Sequence, residues 1–167
     1  SIGIILIDAS IADSEFKNSD LFGTIKWANL FDTVPSTSTW GSTYTNAPQD
    51  EMHIIIYTTN TLITGAANEV LETYGYVSKA KNAKTADGGP NYYVDLINNS
   101  SQWVYFLNEE TSAQSGTITG FTTIGSQLTS LTGNLRFNYL STNASLTGVR
   151  KYNLDGGNDG LTVTDGN

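Results

Sequence analysis

The sequence predicts an α+β domain: a β-dominated mixed sheet with a few short helices. Three observations lead there. The polar filler is Thr (23), Ser (16), Asn (16) and Gly (16), whereas charged residues make up only 14% of the 167. Helical surfaces are usually built from Glu, Lys, Arg, Gln and Ala, and this palette suits strands and turns. Two β-branched runs, residues 2–8 and 51–57, read as strands. Tyr92 and Tyr93 stand four residues before Leu96 and Ile97, so both pairs fall on one helical stripe.

Taken in order, Ile2 to Asp8 is a short Ile-rich run that fits a strand buried on both faces. Between residues 13 and 34, Phe16, Leu21, Phe22, Ile25, Trp27, Leu30 and Phe31 fit neither period, and the expectation is a loop followed by a strand near Thr24 to Phe31. Val34 to Pro48 holds two Pro and six Thr or Ser between Ser36 and Thr43, a long loop that needs a function or an external support. Glu51 to Tyr57 is the clearest strand and ends in the turn cluster Thr58-Thr59-Asn60. Val70 to Val77 is a strand, or a short helix over 69–76; Gly75 and the aromatic content favour the strand, paired hairpin-like with 51–57. Asp87-Gly88-Gly89-Pro90 is a turn, and Asn91 sits where an N-cap belongs. The helix over Tyr92–Ile97 closes at Asn98-Asn99-Ser100-Ser101, with a further strand at Trp103 to Leu107. Thr, Ser and Gly then dominate from Thr111 to Thr132, Leu135 to Leu140 alternates as a strand, and Asp155 to Gly160 is a loop.

Composition removes several function classes. With 8 Lys+Arg against 16 Asp+Glu the net charge is -8 and the pI about 4.3. A chain this acidic is a poor match for nucleic acid or an anionic membrane surface. There is no Cys, so thiolate sites and disulfides are absent, and the single His rules out His-rich metal sites. No apolar run reaches membrane-spanning length.

The chemical motifs are thin. A Ser/His/Asp triad would have to use His53, which lies inside the best strand, where a His facing a neighbouring strand or solvent is the plainer reading. No nucleophile elbow and no phosphate-binding loop is present, and Gly116, Gly120 and Gly125 are wrongly spaced for a dinucleotide fingerprint. Asp155, Asp159 and Asp165 with their glycines faintly resemble calcium repeats, but they lack a fixed spacing, and turn chemistry accounts for them. Glu109-Glu110 and Glu69/Glu72 are the available carboxylate pairs, with no sign of a shared cleft. Lys79, Lys81 and Lys84 form the one basic cluster, read as a solvated loop or as a contact with an acidic neighbouring subunit. Asn98, Asn99 and Asn143 match the low-specificity glycosylation pattern. No catalytic, cofactor-binding or metal-ligating residue is assigned.

From Asp50-Glu51-Met52-His53-Ile54-Ile55-Ile56 onward an ordered series of words carries a family resemblance: Ile63-Thr64-Gly65, Val70-Leu71-Glu72-Thr73-Tyr74, Val77-Ser78-Lys79-Ala80, Asp87-Gly88 and Asn91-Tyr92-Tyr93-Val94-Asp95-Leu96-Ile97-Asn98. Phe31 to Thr39 and Leu154-Asp155-Gly156-Gly157-Asn158-Asp159-Gly160 agree with it. Together they resemble the tail sheath protein of contractile-tailed bacteriophages of the T-even-like and cyanophage kind. The likeness covers about residues 31–107 and 154–160 and is weak over 108–150. It implies a structural, non-enzymatic virion subunit without cofactor, assembled in the host cytoplasm. Such subunits form stacked hexameric rings in a helical array around a tail tube, and a baseplate signal makes the array contract and drive the tube through the host envelope. Residues 1–160 would be the middle domain and 161–167 the start of a connection to a following core domain, within a longer polypeptide. Contacts to the tube and baseplate would lie outside these residues, with no nucleic acid bound and no membrane insertion. Contraction without nucleotide needs two packings of near-rigid bodies, and Thr/Ser/Asn-rich surfaces give contacts that slide and re-form.

Two other readings stand beside it. A carbohydrate- or surface-binding module of a virion or secreted protein would use Trp27, Trp40, Trp103 and the nine Tyr as stacking platforms, with Trp40 its best candidate. A hydrolase would need His53 or Glu109 and Glu110.

Overall fold

The two Ile-rich runs lie side by side at the centre of a four-stranded antiparallel sheet. The structure, a computed structural model, describes residues 1–9, 11–18, 20–21, 25–43, 49–106 and 149–154. Its elements are β1 (Ile2–Asp8), α1 (Asp13–Asn18), β2 (Asp20–Leu21), β3 (Ile25–Lys26), α2 (Trp27–Leu30), β4 (Glu51–Thr58), β5 (Val70–Ser78), α3 (Tyr93–Ser100) and β6 (Val149–Leu154), with a single 3₁₀ turn at Gly41–Thr43. The main sheet runs β5-β4-β1-β6, and β2 and β3 form a small separate hairpin.

Strand alternation divides the apolar residues between two cores. On one face Ile5 and Ile7 of β1, Ile55 and Tyr57 of β4 and Val149 of β6 pack with Ile11, Phe16, Trp27 and Phe31, which α1, α2 and their flanks supply. On the other, Met52, Ile54 and Ile56 of β4 and Val77 of β5 pack with Tyr92, Tyr93 and Ile97 of the α3 region, bordered by Val104 and Phe106. β4 is therefore buried on both sides. Burial on both faces is the expectation for residues 2–8, where Ile2, Ile4 and Leu6 are only partly covered.

Gly3 has a specific duty in this sheet. It pairs with Tyr57, whose ring lies over it where a Cβ would have to sit. The Tyr57 hydroxyl reaches past Gly3 and donates to Asn153 Oδ1 at 3.2 Å, so one side chain ties β4 to β6 across β1.

The α+β class, the strands at 2–8 and 51–57, the hairpin with 70–77 and the helix after Asn91 are as expected. Other expectations are corrected. Every pairing between the described strands is antiparallel, so the main sheet is not mixed. Residues 13–18 are helical and not loop, and the stretch expected as a strand to Phe31 holds only β3 before turning into α2. Helices of six and four residues are too short to display a period. Asn91 does not cap α3. Its side-chain Nδ2 donates to Tyr76 O at 3.1 Å and its backbone carbonyl accepts Ser78 N at 2.8 Å, and Tyr92 takes the cap position. No strand forms at 103–106. The backbone of Phe106 is paired instead with the Asn98 carboxamide, which accepts Phe106 N at 2.7 Å and donates to Phe106 O at 3.0 Å. β6 was not anticipated. The expectations at Leu107, Thr111–Thr132, Leu135–Leu140 and Asp155–Gly160, and the domain boundary at 160, lie outside the described residues.

Candidate functional site

Five polar side chains, Asp8, Ser38, Asp50, Ser78 and Lys79, are buried where β1 ends and β4 begins. Asp50, immediately before β4, is fully buried. Its carboxylate accepts Ser38 N at 2.9 Å, Ser38 Oγ at 2.8 Å and Ser78 Oγ at 2.5 Å. Each serine hydroxyl in turn accepts one backbone donor, Gly41 N for Ser38 and Ala80 N for Ser78. The Asp50 carbonyl accepts Lys79 N at 2.8 Å. One carboxylate thus anchors the Pro/Ser/Thr loop to the exit of β5, which supplies the internal support that the long loop needs. Beside it, Glu51 accepts Ser36 N at 3.0 Å; burial pushes its carboxyl above the usual range, against the pull of that hydrogen bond.

Lys79 Nζ lies 3.5 Å from Asp8 Oδ2, both side chains fully buried. This corrects the reading of Lys79 as part of a solvated loop. Only Lys81 and Lys84 of that cluster are exposed, so the three cations do not form one surface patch.

His53 occupies a bulge. Met52 pairs with Val77 and Ile54 with Tyr74, so one residue of β4 faces both Gly75 and Tyr76. Tyr76 takes φ +58°, a conformation L side chains rarely adopt. Its N–H donates to His53 Nδ1 at 3.0 Å, and its hydroxyl accepts Thr33 N at 2.9 Å. Because Nδ1 accepts, the ring proton sits on Nε2 and donates to Thr33 O at 2.8 Å. Phe31 stacks on the imidazole with centroids 4.0 Å apart, and Tyr76 meets it edge-on. Burial lowers its pKa to about 4, against the two backbone carbonyls that favour a proton. Both nitrogens of this neutral imidazole are therefore committed to holding the bulge.

Glu72 is likewise committed. It accepts Gln102 N at 2.8 Å, Ser101 Oγ at 2.7 Å and Tyr74 OH at 3.0 Å, tying the exit of α3 to β5. Partial burial raises its pKa, but the three donors outweigh it and leave the carboxyl below the usual range. Glu69 is exposed in the adjoining hairpin. Among the tryptophans, Trp27 is core, with its indole N–H unpartnered; Trp40 is half-buried and Trp103 exposed. The Asn98 carboxamide is spent on Phe106, while Asn99 is exposed. Gly116, Gly120, Gly125, Glu109, Glu110, Asn143, Asp155, Asp159 and Asp165 lie outside the described residues. Among the described residues no group of three or more His, Asp or Glu is placed to share a metal ion, and no helix is long and apolar enough to cross a membrane.

Sequence reasoning missed Asp8, Asp50, Ser38 and Ser78. An acidic residue directly before the best strand was visible as a signal, whereas its partners come from 12 and 28 residues away. It also missed where the apolar surface lies. The large apolar side chains exposed among the described residues are Leu62, Trp103, Tyr105 and Leu154. Leu62 is in the β4–β5 connection. Leu154 is opposite Ile2, which is opposite Thr58, the last residue of β4. Ser101 and Gln102 hydrogen-bond to Glu72, whose strand partner is Ile56. No family model, curated protein or solved structure matches this chain.

Proposed function

We propose that this chain is part of a structural subunit of a contractile phage tail sheath, which assembles as a helical stack of hexameric rings around a tail tube and contracts to drive the tube through a host envelope. The observation that carries the reading is the ordered series of sheath-like words from Asp50 to Asn98. The residues of that series form β4, β5 and α3, a contiguous body around one core. The internal chemistry suits a mechanical part. Asp50, Lys79, His53 and Glu72 are each engaged in holding one loop or strand to another, which favours movement as a near-rigid body. The middle-domain role and the tube and baseplate partners belong to this proposal. Electron microscopy of the assembled full chain tests it: ordered tubes or stacked rings support the reading, and a persistent monomer at high concentration and high salt defeats it.

Exposed Trp103 and Tyr105 favour a second reading, a carbohydrate- or surface-binding module. Trp27 no longer contributes to it, because it is core. Saturable quenching of tryptophan fluorescence by a glycan, lost in Trp103→Ala, would establish this reading in place of the first.

A further inference from the structure

We propose that Lys79 and Asp8 are the two halves of an intramolecular isopeptide cross-link, in which the lysine amine condenses with the aspartate carboxyl and fixes the end of β1 to the exit of β5. The proposal is independent of the sheath reading, because it concerns chemistry inside one chain.

The two groups are held at reacting distance. Lys79 Nζ is 3.5 Å from Asp8 Oδ2, and both side chains are fully buried. The contact is longer than a charge-assisted hydrogen bond, about 2.7–2.9 Å, and close to the roughly 3–3.5 Å separation of groups poised to react. Strand register puts them there. Asp8 is opposite Met52, and Met52 is opposite Val77. Lys79 comes two residues after Val77, so strand alternation returns its side chain to the face that Asp8 shares. Both backbones are fixed. Asp8 O accepts Ile11 N at 3.2 Å, Lys79 N donates to Asp50 O at 2.8 Å, and Ala80 N donates to Ser78 Oγ at 3.1 Å. Ala80 and Ala83, just beyond, are buried as well. Positioning of this kind makes a bimolecular condensation intramolecular.

The dry interior suits the reaction. A buried ion pair adds little stability over an apolar pair, so stability alone does not account for these two residues. Away from water an ion pair and its uncharged form, amine plus carboxylic acid, come closer in free energy, and the amine is the nucleophile. One proton passes from Nζ to the Asp8 carboxylate. The nitrogen lone pair then attacks Cγ and forms the C–N bond. A second proton leaves the nitrogen for the carboxyl hydroxyl, the C–O bond breaks and one water departs. An ammonium and a carboxylate thus become an amide and water, with nothing else consumed. The nearby Asp50 carboxylate is held by Ser38 and Ser78, which leaves Asp8 as the partner of the amine. The amide removes two buried charges and bolts β1 to β5 across β4. Until it forms, freshly folded protein presents the ion pair.

The test is the intact mass and tryptic map of the full chain, taken fresh and after prolonged incubation at mildly alkaline pH. The folded protein is expected to become lighter by one water. Trypsin should then fail to cut after Lys79, and the map should show a branched peptide joining that residue to Asp8. Lys79→Arg should keep its full mass, as should the parent held unfolded in guanidinium chloride. Asp8→Asn should give the same branched peptide with ammonia lost in place of water. Full mass with normal cleavage after Lys79 in the incubated parent would overturn the proposal. So would a water loss reversed by hydroxylamine, the mark of a succinimide at an Asp-Gly step, or a branch from Lys79 to any other carboxylate. The parent measurement decides without a variant, so a substitution that fails to fold leaves the test intact.

Discussion

The Lys79 ammonium and the Asp8 carboxylate meet 3.5 Å apart in the interior, spanning β4 from the end of β1 to the exit of β5. A buried pair of this kind gains little net stability over an apolar pair, but a survivor left without its counter-charge is costly. Lys79→Met alone and Asp8→Leu alone should each destabilise by about 3–5 kcal/mol, read from urea midpoints. The double variant Asp8→Leu with Lys79→Met should recover most of that loss. Single variants within a few tenths of a kcal/mol of the parent would mean that the two charges are hydrated and uncoupled.

Gly3 and Tyr57 make the second prediction. A methyl group on Gly3 would occupy the Tyr57 ring. Gly3→Ala should therefore cost about 1–3 kcal/mol through overpacking. In a Tyr57→Leu background the same change should cost clearly less, because the obstacle has gone. Additive losses in the double-mutant cycle would show that the glycine matters for some reason other than this ring.

Much of this fold was legible because its central elements are locally self-consistent. β1 and β4 are β-branched runs bounded by turn residues, and α3 shows its stripe in eight residues. The edge strand β6 hides because its second and third residues are Arg150 and Lys151, charges that an edge tolerates and a pattern search discounts. Trp103 to Phe106 has strand composition, yet its partner is the Asn98 side chain, which no periodicity reveals. The polar interior was illegible for a related reason. Lys79 looks like surface beside Lys81 and Lys84, and only the register that brings Asp8 to Met52 and Val77 explains its burial.

Glu72 yields a local prediction. Its carboxylate is the acceptor for Gln102 N and Ser101 Oγ, so it holds the chain as it leaves α3. Glu72→Ala should raise amide exchange at Gln102 by roughly tenfold, about the worth of one hydrogen bond to a charged acceptor. Amides in β1 and β4 should exchange as before. Protection at Gln102 that survives the substitution would assign that segment's order to Val104 and Phe106 packing alone.

His53 makes the chain's stability depend on pH in a specific window. In the unfolded chain its pKa returns to about 6.5, and in the fold burial holds it to about 4. Above pH 6.5 neither state binds the proton, so His53 adds no slope. Between 6.5 and 4 the unfolded state takes the proton and the folded state does not, so stability falls as pH falls. Below 4 both states bind it and the loss levels off, at about 3 kcal/mol in total. The side chains packed on the ring are Phe16, Phe31 and Tyr76, none of them charged, so only the backbone groups of Thr33 and Met52 favour an imidazolium, and burial outweighs them. Protonation would also turn Nδ1 into a donor facing the Tyr76 N–H that it now accepts, which removes the bond holding Tyr76 at positive φ. Burial raises the Glu51 carboxyl, whereas at Glu72 three donors outweigh burial and lower it, so the two contribute to the pH dependence with opposite signs and the decisive quantity is the difference between two curves. Urea midpoints from pH 7.5 to 4 should fall more steeply for the parent than for His53→Gln, which starts less stable. Parallel curves would place the imidazole in contact with water, and the bulge would then owe its shape to the Tyr76–Thr33 hydrogen bond alone.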